Sequence, residues 1–167
     1  MNIINALLAE LEQEAQATER VLKVVPQAHL SWRPHPKSYS LGQLALHVAT
    51  TPGNVAQLAA TDTVSTPPTG AQAEAATAAE LVPTMKASIA RARELLGGFD
   101  DAAMTATWRM MVGGNEIMAM PRAALVRMVM LNHWYHHRGQ LLVYLRMHNV
   151  PLPSVYGPTA DENPFAG

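Results

Sequence analysis

The chain has 167 residues, with 12 Lys and Arg, 13 Asp and Glu, seven His and no Cys. Its net charge of −1 offers neither the basic surface that neutralises nucleic-acid phosphates nor a polybasic patch for anionic lipids. The lack of Cys excludes disulfides, thiolate metal sites and a Cys nucleophile. We therefore expect one domain over residues 1–167, without nucleic-acid or membrane partners.

The sequence shows no targeting or membrane-spanning segment. Residues 1–10 lack the basic region of a signal peptide, and Glu10 is soon followed by Glu12 and Glu14. The apolar stretch 126–145 contains two Arg and three His, which a membrane span would not tolerate. We expect a cytoplasmic protein.

Four segments carry apolar residues at helical spacing. The first covers residues 2–25 and is ended by Pro26. After a Pro-containing loop over 27–39, Ser40 is a good N-cap with Gln43 as its capping-box partner, and the second helix runs over 41–60. Pro52 and Gly53 lie inside this helix and predict a kink or a break.

The second half of the chain combines helices with a small hairpin. A loop over 61–70 leads to a third helix over about 78–96, which Gly97 and Gly98 end. Residues 107–120 flank Gly113-Gly114-Asn115 with apolar residues, a pattern typical of a hairpin. Pro121 suits position N1 of a fourth helix that reaches about His148, followed by an extended tail over 154–167. Four amphipathic helices in one domain predict an all-α four-helix bundle.

Two histidines share one face of the fourth helix. His133 and His137 are four residues apart, so their imidazoles lie one above the other within reach of one metal ion. His136 is three residues from His133, and spacing alone does not choose between His136 and His137. Imidazole ligands suit Zn, Cu, Fe and Ni.

A third histidine, His47, lies in an apolar part of the second helix. Gln43, Thr51 and Asn54 share its face. Such a polar stripe either lines a wet pocket inside the bundle or forms the solvent face of the helix. The remaining histidines are weaker candidates: His35 lies in a Pro-rich loop, and His29 and His148 lie near helix ends.

Several motifs resemble the DinB/YfiT-like family of metal-binding four-helix proteins. Residues 133–140 (HWYHHRGQ) resemble its last-helix signature, and Trp32-Arg33-Pro34 its W-x-P motif. Residues 40–47 (SLGQLALH) resemble its second-helix segment, and Pro121 opens the last helix as in the family. Residues 153–162 (PSVYGPTADE) resemble its tail, with Thr159 where Ser is usual. The resemblance covers nearly the whole chain.

The resemblance implies a bundle with a long crossover between helices two and three, for which residues 61–79 are suitable. It implies that His47, His133 and His137 are the metal ligands, with Zn or Ni as the metal. Three neutral ligands leave a coordination position open, as in catalytic rather than structural zinc sites. We therefore expect a metal-dependent hydrolase or a thiol-dependent transferase acting on a small molecule, with a low-molecular-weight thiol as cofactor in the second case. The alternative is a non-catalytic metal-binding stress or structural protein. Relatives of this kind also imply a homodimer.

Residues around the last-helix motif have predicted supporting roles. Arg138 is expected to pair with Asp161 or Glu162 and hold the tail, and Gly139 to allow close approach of a neighbour such as Tyr156. Gln140 and Tyr144 are candidates for hydrogen bonds that orient the ligand imidazoles. Trp134 is expected in the core, and the Met-rich hairpin against the bundle or a second subunit.

Overall fold

A computed structural model describes residues 2–65 and 72–166. Four long helices form the body: α1 (Ile3–Lys23), α2 (Leu41–Ala59), α3 (Leu81–Leu96) and a last helix that begins at Arg122 and ends at Met147. Helix α2 packs against both α3 and the last helix, and α1 contacts the same two. The core between them is apolar, and its members include Leu11, Leu44 and Leu141. The helical body is confirmed, but the fold is not purely helical.

A small sheet accompanies the helices. Strands β2 (Thr107–Val112) and β3 (Asn115–Pro121) form the predicted hairpin, joined by Gly113 and Gly114 with φ of 56° and 83°. These positive φ values favour glycine at both turn positions. A third strand, β1 (Thr63–Val64), pairs in parallel with β2, which was not predicted because residues 61–70 were assigned to a loop. The all-α prediction is therefore corrected to a mostly helical fold with a three-stranded sheet.

Helix α2 continues through Pro52 without the break that was one of the two predicted outcomes. Proline lacks an N–H, so the carbonyl of Val48 loses its helical partner. The indole Nε1 of Trp134 donates to that carbonyl at 2.7 Å. On α3, Ser88 Oγ accepts from the N–H of Gly53 at 2.7 Å and donates to the carbonyl of Thr50 at 3.1 Å. Neighbouring helices thus satisfy the backbone groups that proline disturbs.

The last helix is not uniform. It consists of α5 (Arg122–Leu125), a π-helical segment (Val126–Asn132) and α6 (His133–Met147). Pro121 is the N-cap of α5, whereas the sequence predicted that it would be N1, the first helical residue. Short helix α4 (Asp101–Thr105) precedes the hairpin, and short 3₁₀ turns cover Gln27–His29 and Ala78–Glu80. The predicted capping box of Ser40 and Gln43 is confirmed.

The connection between α2 and α3 is long, as expected of a crossover, although residues 66–71 of it lie outside the described part. Within the described part, no helix is long and apolar enough to cross a membrane.

Two predictions about the last helix are wrong. Arg138 is 2% exposed and pairs with Glu14 on α1 at 2.6 Å, not with the tail carboxylates. It does reach the tail through the hydroxyl of Tyr156. Glu162 pairs instead with Arg20, and Asp161 with Arg146. A Cβ at Gly139 would meet nothing within 4 Å, so no close approach requires this glycine.

Candidate metal centre

Three histidines from two helices meet at one point of the bundle. His47 lies on α2, His133 is the first residue of α6, and His137 follows one turn later. One ring nitrogen of each lies within 4.8 Å of the other two, and Nε2 of His133 is 2.9 Å from Nε2 of His137. His136 is exposed outside this cluster, with its ring centroid 4.9 Å from that of His137. The structure therefore brings together the three residues that the family resemblance implied.

Two glutamines orient two of the rings. Gln72 Oε1 lies 3.0 Å from Nδ1 of His47, and Gln140 Oε1 lies 2.7 Å from Nδ1 of His137. The Nε2 atoms of both rings are then free to face the cluster. In metal sites, a hydrogen bond to the other ring nitrogen orients a binding imidazole in the same way. Gln140 thus makes the predicted contact with a candidate ligand. Tyr144 instead contacts the ring of Trp32.

The sequence did not predict a role for Gln72. It lies in the connection between α2 and α3, where no local pattern marks a site residue. Its backbone carbonyl accepts from Nε2 of Gln43 at 2.9 Å, and the N–H of Ala75 donates to the carbonyl of Gly42 at 3.4 Å. Gln43 therefore caps α2 and also holds the segment that supplies Gln72.

The cluster has the chemistry and spacing of a metal site. Two nitrogens on a tetrahedral zinc ion at about 2.0–2.1 Å are roughly 3.3–3.4 Å apart. In the cluster one nitrogen pair is 2.9 Å apart, and all three ligand atoms lie within 4.8 Å of one another. Nε2 of His47, the ring nitrogen not bonded to Gln72, is buried without a hydrogen-bond partner. A buried unpaired nitrogen costs free energy unless something binds it. Among residues 2–65 and 72–166, no carboxylate joins the group, so this part of the chain offers three candidate ligand atoms.

The site keeps its imidazoles neutral. Burial lowers the pKa of His47, and the nearby His133 lowers it further. Burial also lowers the pKa of His133 and lowers that of His137 to about 4. A neutral imidazole has the free lone pair that a metal ion needs, so all three rings are ready to bind at neutral pH.

One hydrogen bond beside the histidines joins α2 to the last helix. Trp134, which follows His133, is fully buried, as predicted, and donates to the carbonyl of Val48, which follows His47. Within α2, the hydroxyl of Thr51 donates to the carbonyl of His47 at 2.7 Å. The π-helical segment ends where His133 begins, and such segments are frequent at functional sites. No pattern in residues 126–132 signalled it.

A cavity of about 420 Å³ opens beside His47 and His133. Thr51 and Asn54 line it, which supports the pocket interpretation of the polar stripe on α2.

The other histidines lie elsewhere. His148 stacks on His29 with ring centroids 4.1 Å apart, and burial lowers its pKa, so it is not the helix-end cation that its position suggested. Nδ1 of His35 accepts from the N–H of Lys37.

The DinB family model matches residues 1–163 of this sequence. The chain belongs to the DinB family. It is 25% identical over 163 residues to YrdA, an uncharacterized protein of Bacillus subtilis, with 95% of this chain and 91% of YrdA covered.

Solved structures agree in fold. The crystal structure of a DinB-like protein from Bacillus cereus ATCC 10987 matches with a TM-score of 0.72 and 22% identity over 92% of this chain and 97% of that chain. The DinB-like protein YjoA from Bacillus subtilis matches with a TM-score of 0.66 and 17% identity over 90% and 97%. At these identities the likeness concerns the fold alone.

Proposed function

We propose that this protein binds one divalent metal ion, zinc or nickel, through Nε2 of His47, His133 and His137. The observation that carries the proposal is the meeting of three neutral imidazoles, without a fourth protein ligand in the described part of the chain, beside a cavity. Gln72 and Gln140 accept the Nδ1 hydrogens and keep Nε2 of His47 and His137 free.

We further propose that the protein is an enzyme, either a metal-dependent hydrolase or a thiol-dependent transferase. A divalent ion bound here would lower the pKa of a bound water or thiol and polarise a carbonyl. The chain itself would supply three uncharged ligands, which leave the positive charge of the ion uncompensated, and the cavity beside them. Because the chain has no Cys, any thiol must come from a cofactor or a substrate.

Metal analysis of the purified protein tests the proposal. We expect about one equivalent of metal in the wild type, and loss of metal in His47→Ala, His133→Ala and His137→Ala, because two imidazoles hold a divalent ion less well than three. His136→Ala is the matched control and should keep the metal.

Circular dichroism of the same variants shows whether loss of the metal also unfolds the bundle. The bundle has a large apolar core, so the ligand variants should stay helical. Unfolding of all three would instead favour the structural, non-catalytic alternative. Loss of metal in His136→Ala but not in His137→Ala would show that the ligand assignment is wrong.

A further inference from the structure

Residues 72–75, here called the docked segment, connect the start of α2 to the candidate metal centre. Oε1 of Gln72 lies 3.0 Å from Nδ1 of His47, and the amide nitrogen of Gln72 donates to the carbonyl of Ala73 at 3.3 Å. Because the nitrogen of this amide is used in that way, its oxygen faces His47 and accepts the Nδ1 hydrogen. The lone pair of His47 then lies on Nε2, so the docked segment fixes the tautomer of one candidate ligand.

The two histidines that glutamines orient are supported differently. Gln140 is three residues from His137 on the same helix, so the helix itself places it. Gln72 is 25 residues from His47 and lies in a non-helical connection. Its position therefore depends on the contacts that hold the docked segment against α2.

Backbone atoms anchor both ends of the docked segment. Nε2 of Gln43 donates to the carbonyl of Gln72 at 2.9 Å. At the other end, the N–H of Ala75 donates to the carbonyl of Gly42 at 3.4 Å. The second hydrogen bond is long and correspondingly weak. A further contact in the middle of the segment is therefore important for its position.

Glu74 makes that contact. The hydroxyl of Ser40, which is fully buried, donates to the carboxylate of Glu74. The same hydroxyl caps α2 by accepting from the N–H of Gln43 at 3.1 Å. A hydroxyl that donates to a carboxylate forms one of the stronger hydrogen bonds in proteins. A Cβ on Gly42 would lie 2.9 Å from Cγ of Glu74 and 3.1 Å from the carbonyl oxygen of Leu30, so a side chain there would push Glu74 away.

We propose that Glu74 is a positioning residue of the metal centre, which acts on His47 through Gln72. Its hydrogen bond to Ser40 fixes the docked segment, keeps the amide of Gln72 against His47 and so raises the affinity for a metal ion. The inference rests on the proposed metal site. It extends that proposal to a carboxylate that is bonded to the start of α2 and does not belong to the ligand cluster.

Zinc affinity, measured by competition with a chromophoric chelator, tests the inference. Gln72→Leu should weaken zinc binding about tenfold, the usual loss when a hydrogen bond to a ligand imidazole is removed. Glu74→Ala should weaken it about three- to fivefold, because the segment keeps its backbone contacts. The matched control is Glu80→Ala in the same connection, where Glu80 accepts from the N–H of Ala76 at 2.7 Å. This control should leave the zinc affinity unchanged.

A double variant shows whether Glu74 acts through Gln72. In the Gln72→Leu background, Glu74→Ala should cost no further zinc affinity, because the amide that it positions is absent. Equal losses from Glu74→Ala in both backgrounds would overturn the inference. Glu74→Gln keeps an acceptor for Ser40 and should bind zinc more tightly than Glu74→Ala. Equal losses in these two variants would show that the charge attracts the ion directly, which also contradicts a positioning role.

Proton–nitrogen NMR of the metal-free protein separates this inference from the metal-site proposal. The Nδ1–H of His47 should give a signal in the wild type, because its hydrogen bond slows exchange with water. The signal should disappear in Gln72→Leu and weaken in Glu74→Ala, whereas that of His137, bonded to Gln140, should persist in both. An unchanged His47 signal in Glu74→Ala would overturn the inference whatever the zinc content. The expected pattern in a protein that takes up no zinc would overturn the metal-site proposal and, with it, any role of Glu74 in metal binding.

Discussion

The hydrogen bond from Trp134 to the carbonyl of Val48 should matter for stability only because Pro52 is present. Val48 and Trp134 are fully buried, and Pro52 has no N–H to offer that carbonyl. Gly53, the next residue along the helix, donates its N–H to Ser88 instead. Trp134→Phe therefore leaves a buried carbonyl without a donor and removes part of a core side chain. We expect the free energy of unfolding to fall by about 2–4 kcal/mol.

A double-mutant cycle isolates the hydrogen bond from the loss of packing. In Pro52→Ala, the new N–H of residue 52 can donate to the carbonyl of Val48, so Trp134→Phe in that background should cost about 1–2 kcal/mol less. Urea unfolding followed by circular dichroism, on metal-free protein, gives the four free energies. An equal cost of Trp134→Phe in both backgrounds would refute the reasoning. Because the bond lies between the neighbours of His47 and His133, Trp134→Phe should also weaken zinc binding.

Three further outcomes are expected. Between pH 6.5 and about 4 the unfolded chain binds a proton at His137 that the folded chain does not. The free energy of unfolding and the metal occupancy should therefore fall as the pH falls through this range. Urea midpoints measured along the range check this, and their dependence on pH should be smaller in His137→Gln. Arg138→Ala should lower the free energy of unfolding by about 3–5 kcal/mol, because Glu14 loses its charged partner in a buried pair. The control Arg146→Ala, which breaks an exposed pair, should lower it by under about 1 kcal/mol. Equal losses of stability in urea unfolding would contradict this. The homodimer stays a prediction: Val143, 60% exposed on the last helix, belongs to an apolar flank that a second subunit could cover, and a monomer mass by light scattering at micromolar concentration would count against it.

Much of the architecture could be predicted from the sequence because its signals are local. Ser40 and Gln43 mark a helix start through contacts three residues apart, and the structure has this capping box. Gly113 and Gly114 mark a turn because both need positive φ, and the hairpin forms there. The spacing of His133 and His137 placed two imidazoles on one helix face, although it left His136 as an alternative that only the family resemblance excluded.

Other features depend on which segments meet in space, and no pattern within one segment encodes them. Gln72 orients His47 from 25 residues away, and its role arises only because the connection after α2 folds back onto the start of that helix. The uninterrupted course of α2 through Pro52 depends on donors and acceptors from Trp134 and Ser88 on other helices. Strand β1 is two residues long and exists through its pairing with β2. The sequence alone determined the candidate ligands and most helices, whereas tertiary packing decided how those ligands are oriented and which cavity they face, because long-range hydrogen bonds and burial control both.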